Sequence, residues 1–166
     1  MGTSAYLALG SNLGDRLGTL QRAVDLLGER EGIEVLRSSR VYETEPVGPP
    51  QPAYLNAVLE IATDLEPRGL LEACLEIEAA LGRERSEPWG PRTLDVDVLT
   101  YDELEVREPD LEIPHPRMHE RGFVLVPLGE LTADPMLPGG RRLKTLRLAP
   151  GAVLGVRAFA PPLRIP

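Results

Sequence analysis

Between Ala5 and Tyr101 the apolar residues change their spacing in a fixed order, and that order limits the fold more than any other feature of the chain. Ala5-Tyr6-Leu7-Ala8-Leu9 is a short apolar run closed by Gly10-Ser11-Asn12, which reads as a buried strand running into a turn. From Asp15 to about Arg30, Leu17, Leu20, Val24 and Leu27 recur at three- and four-residue steps, the spacing of one helical face, and Gly32 marks the stop. Two strands follow, Glu34 to about Thr44 and Leu55 to Thr63. The Gly48-Pro49-Pro50-Gln51-Pro52 segment between them does not fit a tight hairpin turn. A second helix starts near Asp64 and Pro67, carries Leu70, Leu71, Cys74, Ile77 and Leu81 at helical spacing, and ends at Gly82. Residues 83–92 are a polar loop with Pro88 and Pro91, and Thr93 to Tyr101 returns to a strand.

Strand, helix, strand, strand, helix, strand is the order of a split βαβ unit, so the predicted class is α+β with a ferredoxin-like βαββαβ core. Extra C-terminal elements follow: a connector punctuated by Pro109, Pro114 and Pro116, a helix from about Met118 to Leu131, and a basic tail over 141–166. At 166 residues, with no internal repeat, the chain reads as a single domain, residues 1–166, with its core at about 5–134.

Charge narrows the function classes. Eighteen Lys and Arg against 26 Asp and Glu leave a net charge of −8, which excludes a nucleic-acid binder that works by whole-body charge. The distribution is uneven: residues up to Asp134 hold 12 basic and 26 acidic side chains, and those after it hold six basic and no acidic ones. Such a tail either packs over an acidic body or meets an anionic partner. Cys74, the single cysteine, lies on the apolar stripe of the second helix, where core packing suits it, and cannot form an intramolecular disulfide. That usage, with no apolar run long enough to span a bilayer and no leader pattern, predicts a cytoplasmic protein with no membrane contact.

The most informative motif is Thr93-Leu94-Asp95-Val96-Asp97-Val98. A period of two puts Leu94, Val96 and Val98 on one face and Asp95 and Asp97 on the other. Neighbouring carboxylates repel unless a cation sits between them, and hard oxygen donors on a strand suit Mg²⁺ with substrate phosphates as further ligands. From spacing alone, a plain acidic solvent face fits equally well. The preceding loop supplies Arg83, Arg85 and Arg92 with Trp89, and cationic forks beside paired carboxylates suit an anion held through both, such as a nucleotide triphosphate. Gly10-Ser11-Asn12-Leu13-Gly14-Asp15-Arg16 matches neither phosphate-loop pattern and reads as a turn and helix cap. Tyr54 and Phe123 could sandwich a flat heterocycle while Asn56 meets its edge, or each could be core. His115, between Pro114 and Pro116, suits a phosphate contact or a structural role.

Three function classes fit this order of elements: an enzyme acting on a phosphate-bearing substrate, a ferredoxin-like module that senses a small molecule, and an RNA-binding domain. Only the first explains Asp95 and Asp97 beside three arginines. An RNA-binding sheet wants basic and aromatic residues where the acidic pair stands.

Tyr6-Leu7-Ala8-Leu9-Gly10-Ser11-Asn12-Leu13-Gly14, Tyr54-Leu55-Asn56, Trp89-Gly90-Pro91-Arg92-Thr93-Leu94-Asp95-Val96-Asp97, and Pro114-His115 with Arg121-Gly122-Phe123 together resemble the 6-hydroxymethyl-7,8-dihydropterin pyrophosphokinases of folate biosynthesis. They occur in family order over about Ala5 to Asp134. The resemblance implies an ATP-dependent transferase that moves a diphosphate from ATP to the hydroxymethyl group of the pterin and releases AMP. It further implies two Mg²⁺ ions held by Asp95 and Asp97, with Arg83 and Arg92 on the phosphates as the other catalytic residues. Glu78, Arg85, Trp89, His115 and Arg121 would serve ATP, Trp89 from a loop that closes over the site. Tyr54 and Phe123 would stack on the pterin and Asn56 bond its edge, with Thr44, Pro46 and Val47 completing the pocket. The expected partners are these two substrates, with no nucleic acid, and the expected state is a monomer or weak homodimer. Leu75 stands where a Gln is expected, and Pro116 where a tyrosine is common. Arg85 replaces a loop lysine in a segment one residue short.

Overall fold

The computed structural model describes residues 2–45, 50–82, 93–133, 135, 137–140 and 155–166. Its sheet is built from β1 (Thr3–Ser11), β2 (Ile33–Ser38), β3 (Val41–Thr44), β4 (Tyr54–Thr63), β5 (Asp95–Tyr101) and a C-terminal strand, β8 (Val156–Ala160). The strands run in the order β5-β1-β4-β3-β8, with β2 also on β4, and every pairing is antiparallel. Helices α1 (Arg16–Glu29) and α2 (Pro67–Ala80) make the two crossovers of the predicted βαββαβ core.

The helices start and stop where the sequence places their signals. Asp15 caps α1, its Oδ1 accepting the Gly18 N–H at 3.0 Å, and Pro67 opens α2, where a missing N–H costs nothing. Gly82, at φ +81°, closes α2 in the left-handed conformation that a side chain resists.

Alternation along the strands divides the interior in two. Leu7, Leu9, Leu59, Ile61, Val96 and Val98 face α1 and α2 and pack on Leu20, Val24, Leu27, Leu70, Cys74 and Ile77. The opposite face is covered over part of its area by α3 (Gly122–Leu131), whose Val124, Leu125 and Leu128 pack with Val58, Leu99 and Met118. Tyr42 helps pin α3 down: its hydroxyl donates to Glu130, which also accepts from Arg40 Nε at 3.0 Å.

Three features differ from the sequence expectation. The strand predicted over Glu34–Thr44 is two strands, parted at Ser39 and Arg40, with the Ser39 hydroxyl accepting the Val58 N–H at 2.9 Å. The proline-rich connector contains a small hairpin, β6 (Val106–Glu108) and β7 (Leu111–Ile113), tied to α2 by Arg68, which pairs with Glu108 and Asp110. The helix predicted from Met118 is a 3₁₀ turn, Met118–Glu120, followed by α3.

Of the two readings of the basic tail, packing on the body describes its placed part. Strand β8 lies on β3, and Arg157 Nη2 donates to Glu43 Oε1 at 2.9 Å. Glu43 also accepts from Arg16 at 3.1 Å, and the two guanidiniums hold its carboxyl below the usual carboxylate range. Arg141, Arg142, Lys144 and Arg147 lie outside the described residues. No helix among the described residues is long and apolar enough to cross a membrane.

Candidate active site

The face that α3 leaves uncovered carries the polar residues singled out in the sequence. Asp95 pairs with Gly10, Gly10 with Asn56, and Asn56 with Tyr42, so these residues form one row across β5, β1, β4 and β3. Asp97 stands in the next row beside Ala8, and Thr44 pairs with Tyr54 on the other side of the first. Because side chains alternate, Asp95, Asp97, Asn56, Tyr54 and Thr44 all project from the face opposite α1 and α2.

Small residues between them keep the surface low. A Cβ on Gly10 would lie 3.0 Å from Asn56 Nδ2 and 3.7 Å from the Tyr54 ring, so the bare backbone gives the carboxamide its seat. In the sequence Gly10 reads as part of a turn, which leaves this role out. The available signal was the alternation Tyr6, Ala8, Gly10, which shrinks stepwise along one face. Asn56 is 8% exposed, and its Oδ1 accepts the Thr44 hydroxyl at 2.6 Å.

His115, Arg121 and Phe123 reach the same face from the connector and the start of α3. His115 N–H donates to the Leu99 carbonyl at 2.8 Å, which fastens the connector to β5 two residues beyond Asp97. Its Nδ1 accepts the Arg117 N–H at 3.2 Å, so the neutral ring carries its proton on Nε2. Burial, then the nearby Arg121 and Arg117 charges, push the His115 pKa down to about 4, against a smaller opposing pull from Glu112. His115 is therefore a neutral donor at physiological pH. Phe123 packs at the edge of the α3 cluster beside Tyr6 and Ala8, with the Arg121 guanidinium 5.6 Å from its ring centroid.

Glu78 is placed differently. It is 5% exposed on α2, and its Oε2 accepts the Val96 N–H at 2.8 Å, between the two aspartates in sequence. Leu75 is 47% exposed on the same helix, and Pro116 is exposed as well. The expected site residues Pro46, Val47, Arg83, Arg85, Trp89 and Arg92 lie outside the described residues.

The donor set for a metal is two half-buried carboxylates on one side of a strand, and among the described residues no third His, Cys, Asp or Glu completes a metal-holding group with them. Mg²⁺ is commonly bound in this way, through one or two carboxylates with water and substrate phosphates filling its octahedron, so the residues fit that ion.

A signature of 7,8-dihydro-6-hydroxymethylpterin-pyrophosphokinase (HPPK) matches residues 6–133. The chain belongs to the HPPK family. It is 49% identical over 138 residues to the 2-amino-4-hydroxy-6-hydroxymethyldihydropteridine pyrophosphokinase of Methylorubrum extorquens, a match covering 82% of this chain and 87% of that one. Identity to the enzyme of the same name from Bacillus subtilis is 48% over 132 residues, 79% of each chain. Among solved structures, an HPPK-DHPS crystallised in complex with substrates shares the fold at a TM-score of 0.64 and 12% identity. That match covers 92% of this chain but 43% of the longer protein, and the Plasmodium falciparum HPPK-DHPS gives a TM-score of 0.61 at 16% identity over 43% of its length. The HPPK described here is an ATP-using pyrophosphokinase of hydroxymethyldihydropterin in folate synthesis, and its α+β, ferredoxin-like fold is the one expected.

Proposed function

We propose that the row Asp95, Gly10, Asn56 is the axis along which the two substrates of this HPPK meet. Neighbouring strands are about 4.8 Å apart, so Asp95 and Asn56, two strands apart, are separated by roughly 10 Å. That distance suits a bicyclic pterin whose amide edge bonds Asn56 and whose hydroxymethyl group points at the acidic pair. The shared face and spacing of these two residues is the observation that carries the proposal. Tyr54 and Phe123 flank the ring, and the backbone of Thr44, Pro46 and Val47 closes the pocket.

Asp95 and Asp97 would hold two Mg²⁺ ions, which supply charge neutralisation for the triphosphate and the leaving AMP. The pterin oxygen attacks the β-phosphorus, the bond from that phosphorus to the oxygen bridging the α- and β-phosphates breaks, and AMP leaves with the bridging oxygen. His115 donates from Nε2 to the nucleotide and is unsuited as the base, because its Nδ1 is already engaged by Arg117. Asp97 is nearby to receive the proton of the hydroxyl, which bound Mg²⁺ would make more acidic. Arg83 and Arg92 act on the phosphates, Arg92 on the charge that grows during transfer. Arg85, Trp89 and Arg121 belong to the nucleotide side.

The working unit in this reading is a monomer or weak homodimer. A reduced pterin, ATP and a single buried thiol suit the reducing cytoplasm. The test follows AMP release from ATP with and without 6-hydroxymethyl-7,8-dihydropterin. AMP should form only with the pterin present, and should fail to form after EDTA treatment or from Asp97→Ala. An active D97A enzyme would overturn the role given to the acidic pair.

A further inference from the structure

Glu78 stands out among the buried groups because one oxygen of its carboxylate serves the backbone. Its Oε2 accepts the Val96 N–H at 2.8 Å, and Val96 is the residue between Asp95 and Asp97. Among the described residues strand β5 forms one margin of the sheet, with β1 as its only strand neighbour. A margin strand leaves N–H groups without a ladder partner, and a buried one must find another acceptor. A carboxylate in that place makes a charge-assisted bond, stronger than the neutral bond a carbonyl would give.

The consequence reaches across the strand. Fixing Val96 fixes the pleat at that point, and the pleat decides how Asp95 and Asp97 project from the opposite face. The two layers are also close enough to share a field: the buried Cys74 thiol, one turn before Glu78, is pushed up by burial and then by the charges of Glu78 and Asp97.

We propose that Glu78 is a positioning residue that holds the Val96 N–H and so sets the spacing of the Asp95 and Asp97 carboxylates, in place of the direct nucleotide contact first expected of it. The inference rests on the reading of Asp95 and Asp97 as the Mg²⁺-holding pair. It makes Glu78 a support of the kind whose loss weakens a metal site without removing a ligand.

Three substitutions separate the bond from the charge. Glu78→Ala removes the acceptor, Glu78→Gln keeps an acceptor oxygen at the same reach without charge, and Glu78→Asp keeps the charge but withdraws it by one methylene. Two quantities are measured: hydrogen exchange of the Val96 amide in metal-free protein, and the Mg²⁺ concentration giving half-maximal AMP release. In E78A and E78D, Val96 should exchange faster and the Mg²⁺ requirement should rise about 10–100-fold, as for other lost supports of a metal site. E78Q should restore most of both, falling short by the charge-assisted part of the bond, and ATP binding without Mg²⁺ should move little in any of the three. If E78A does not fold, the contrast between E78Q and E78D decides alone. Loss in E78Q with retention in E78D would overturn the proposal, as would a fall in metal-free ATP binding with Val96 exchange unchanged. Asp95→Asn and Asp97→Asn are run beside them: an unchanged Mg²⁺ requirement there sinks the metal reading itself, whereas a lost one with E78A unaffected sinks only the role of Glu78.

Discussion

The Thr44 hydroxyl donates to Asn56 Oδ1 at 2.6 Å, and this one bond decides which end of the Asn56 amide lies over Gly10. With the carbonyl end taken, the amino end is turned to the place where a pterin edge would lie. Replacing Thr44 by Val keeps the shape and removes the donor. The KM for the pterin should rise about 2- to 12-fold, in line with the roughly 0.5–1.5 kcal/mol of one hydrogen bond, with kcat less affected. Steady-state AMP release at varied pterin checks this, and an unchanged KM would show that the amide is oriented by something else.

Gly10→Ala addresses the same amide from below. The new methyl would lie 3.0 Å from Asn56 Nδ2, closer than the amide tolerates without moving. Pterin binding, measured by calorimetry, should weaken about tenfold or more, at a cost in the 1–3 kcal/mol range of overpacking. ATP binding should change little, and equal losses for both substrates would place Gly10 in the general fold.

Asp97→Ala and Asp95→Ala should each lower turnover by at least about 100-fold, the scale on which removal of a charge-stabilising group is felt. Both residues are half-buried on the face away from α1 and α2, so thermal melts followed by circular dichroism should stay near the parent. A large fall in melting temperature would mean that the loss of activity is a loss of fold.

Protonating His115 opposes folding. Its pKa is about 4 in the native state against an ordinary 6.5, so the neutral ring is favoured by folding. The stability this contributes is complete above about pH 6.5 and is lost as pH falls from there through 4. The ring should titrate near 4 by NMR, and His115→Gln should flatten the stability profile between those two values. A ring that titrates at the ordinary value would remove the case for a neutral donor.

Cys74 is fully buried, and burial followed by the charges of Glu78 and Asp97 raises its thiol above the ordinary range. It should resist a thiol reagent such as dithionitrobenzoate in the folded protein and react with one equivalent once unfolded. Fast labelling of the native enzyme would contradict the packing around α2.

Elements with a strong period were legible in the sequence, and elements made by distant partners were not. Leu17 to Leu27 and Leu70 to Leu81 announce helices through local spacing alone, and Asp95 and Asp97 declare their common face through alternation. Strand β8 has no such signature: Val156 to Ala160 is a strand because β3 offers it an edge more than a hundred residues away. The break at Ser39 depends on the Val58 N–H and the role of Glu78 on the Val96 N–H, partners 19 and 18 residues away, beyond the reach of local spacing. Tyr54 and Phe123 draw notice as candidates because aromatics are scarce in this chain, whereas Gly10 has no side chain to attract it.

The placement of β8 also orders events during synthesis. Arg157 and Glu43 are 114 residues apart, so their ion pair and the β3–β8 ladder wait until a further 114 residues have followed Glu43 out of the ribosome. The strands bearing Asp95, Asp97 and Asn56 emerge well before that and can pair among themselves. During elongation β1, β4 and β5 can therefore pair while the strand that carries Thr44 still has a bare outer edge, and for that interval this edge is open to pairing with a neighbouring nascent chain.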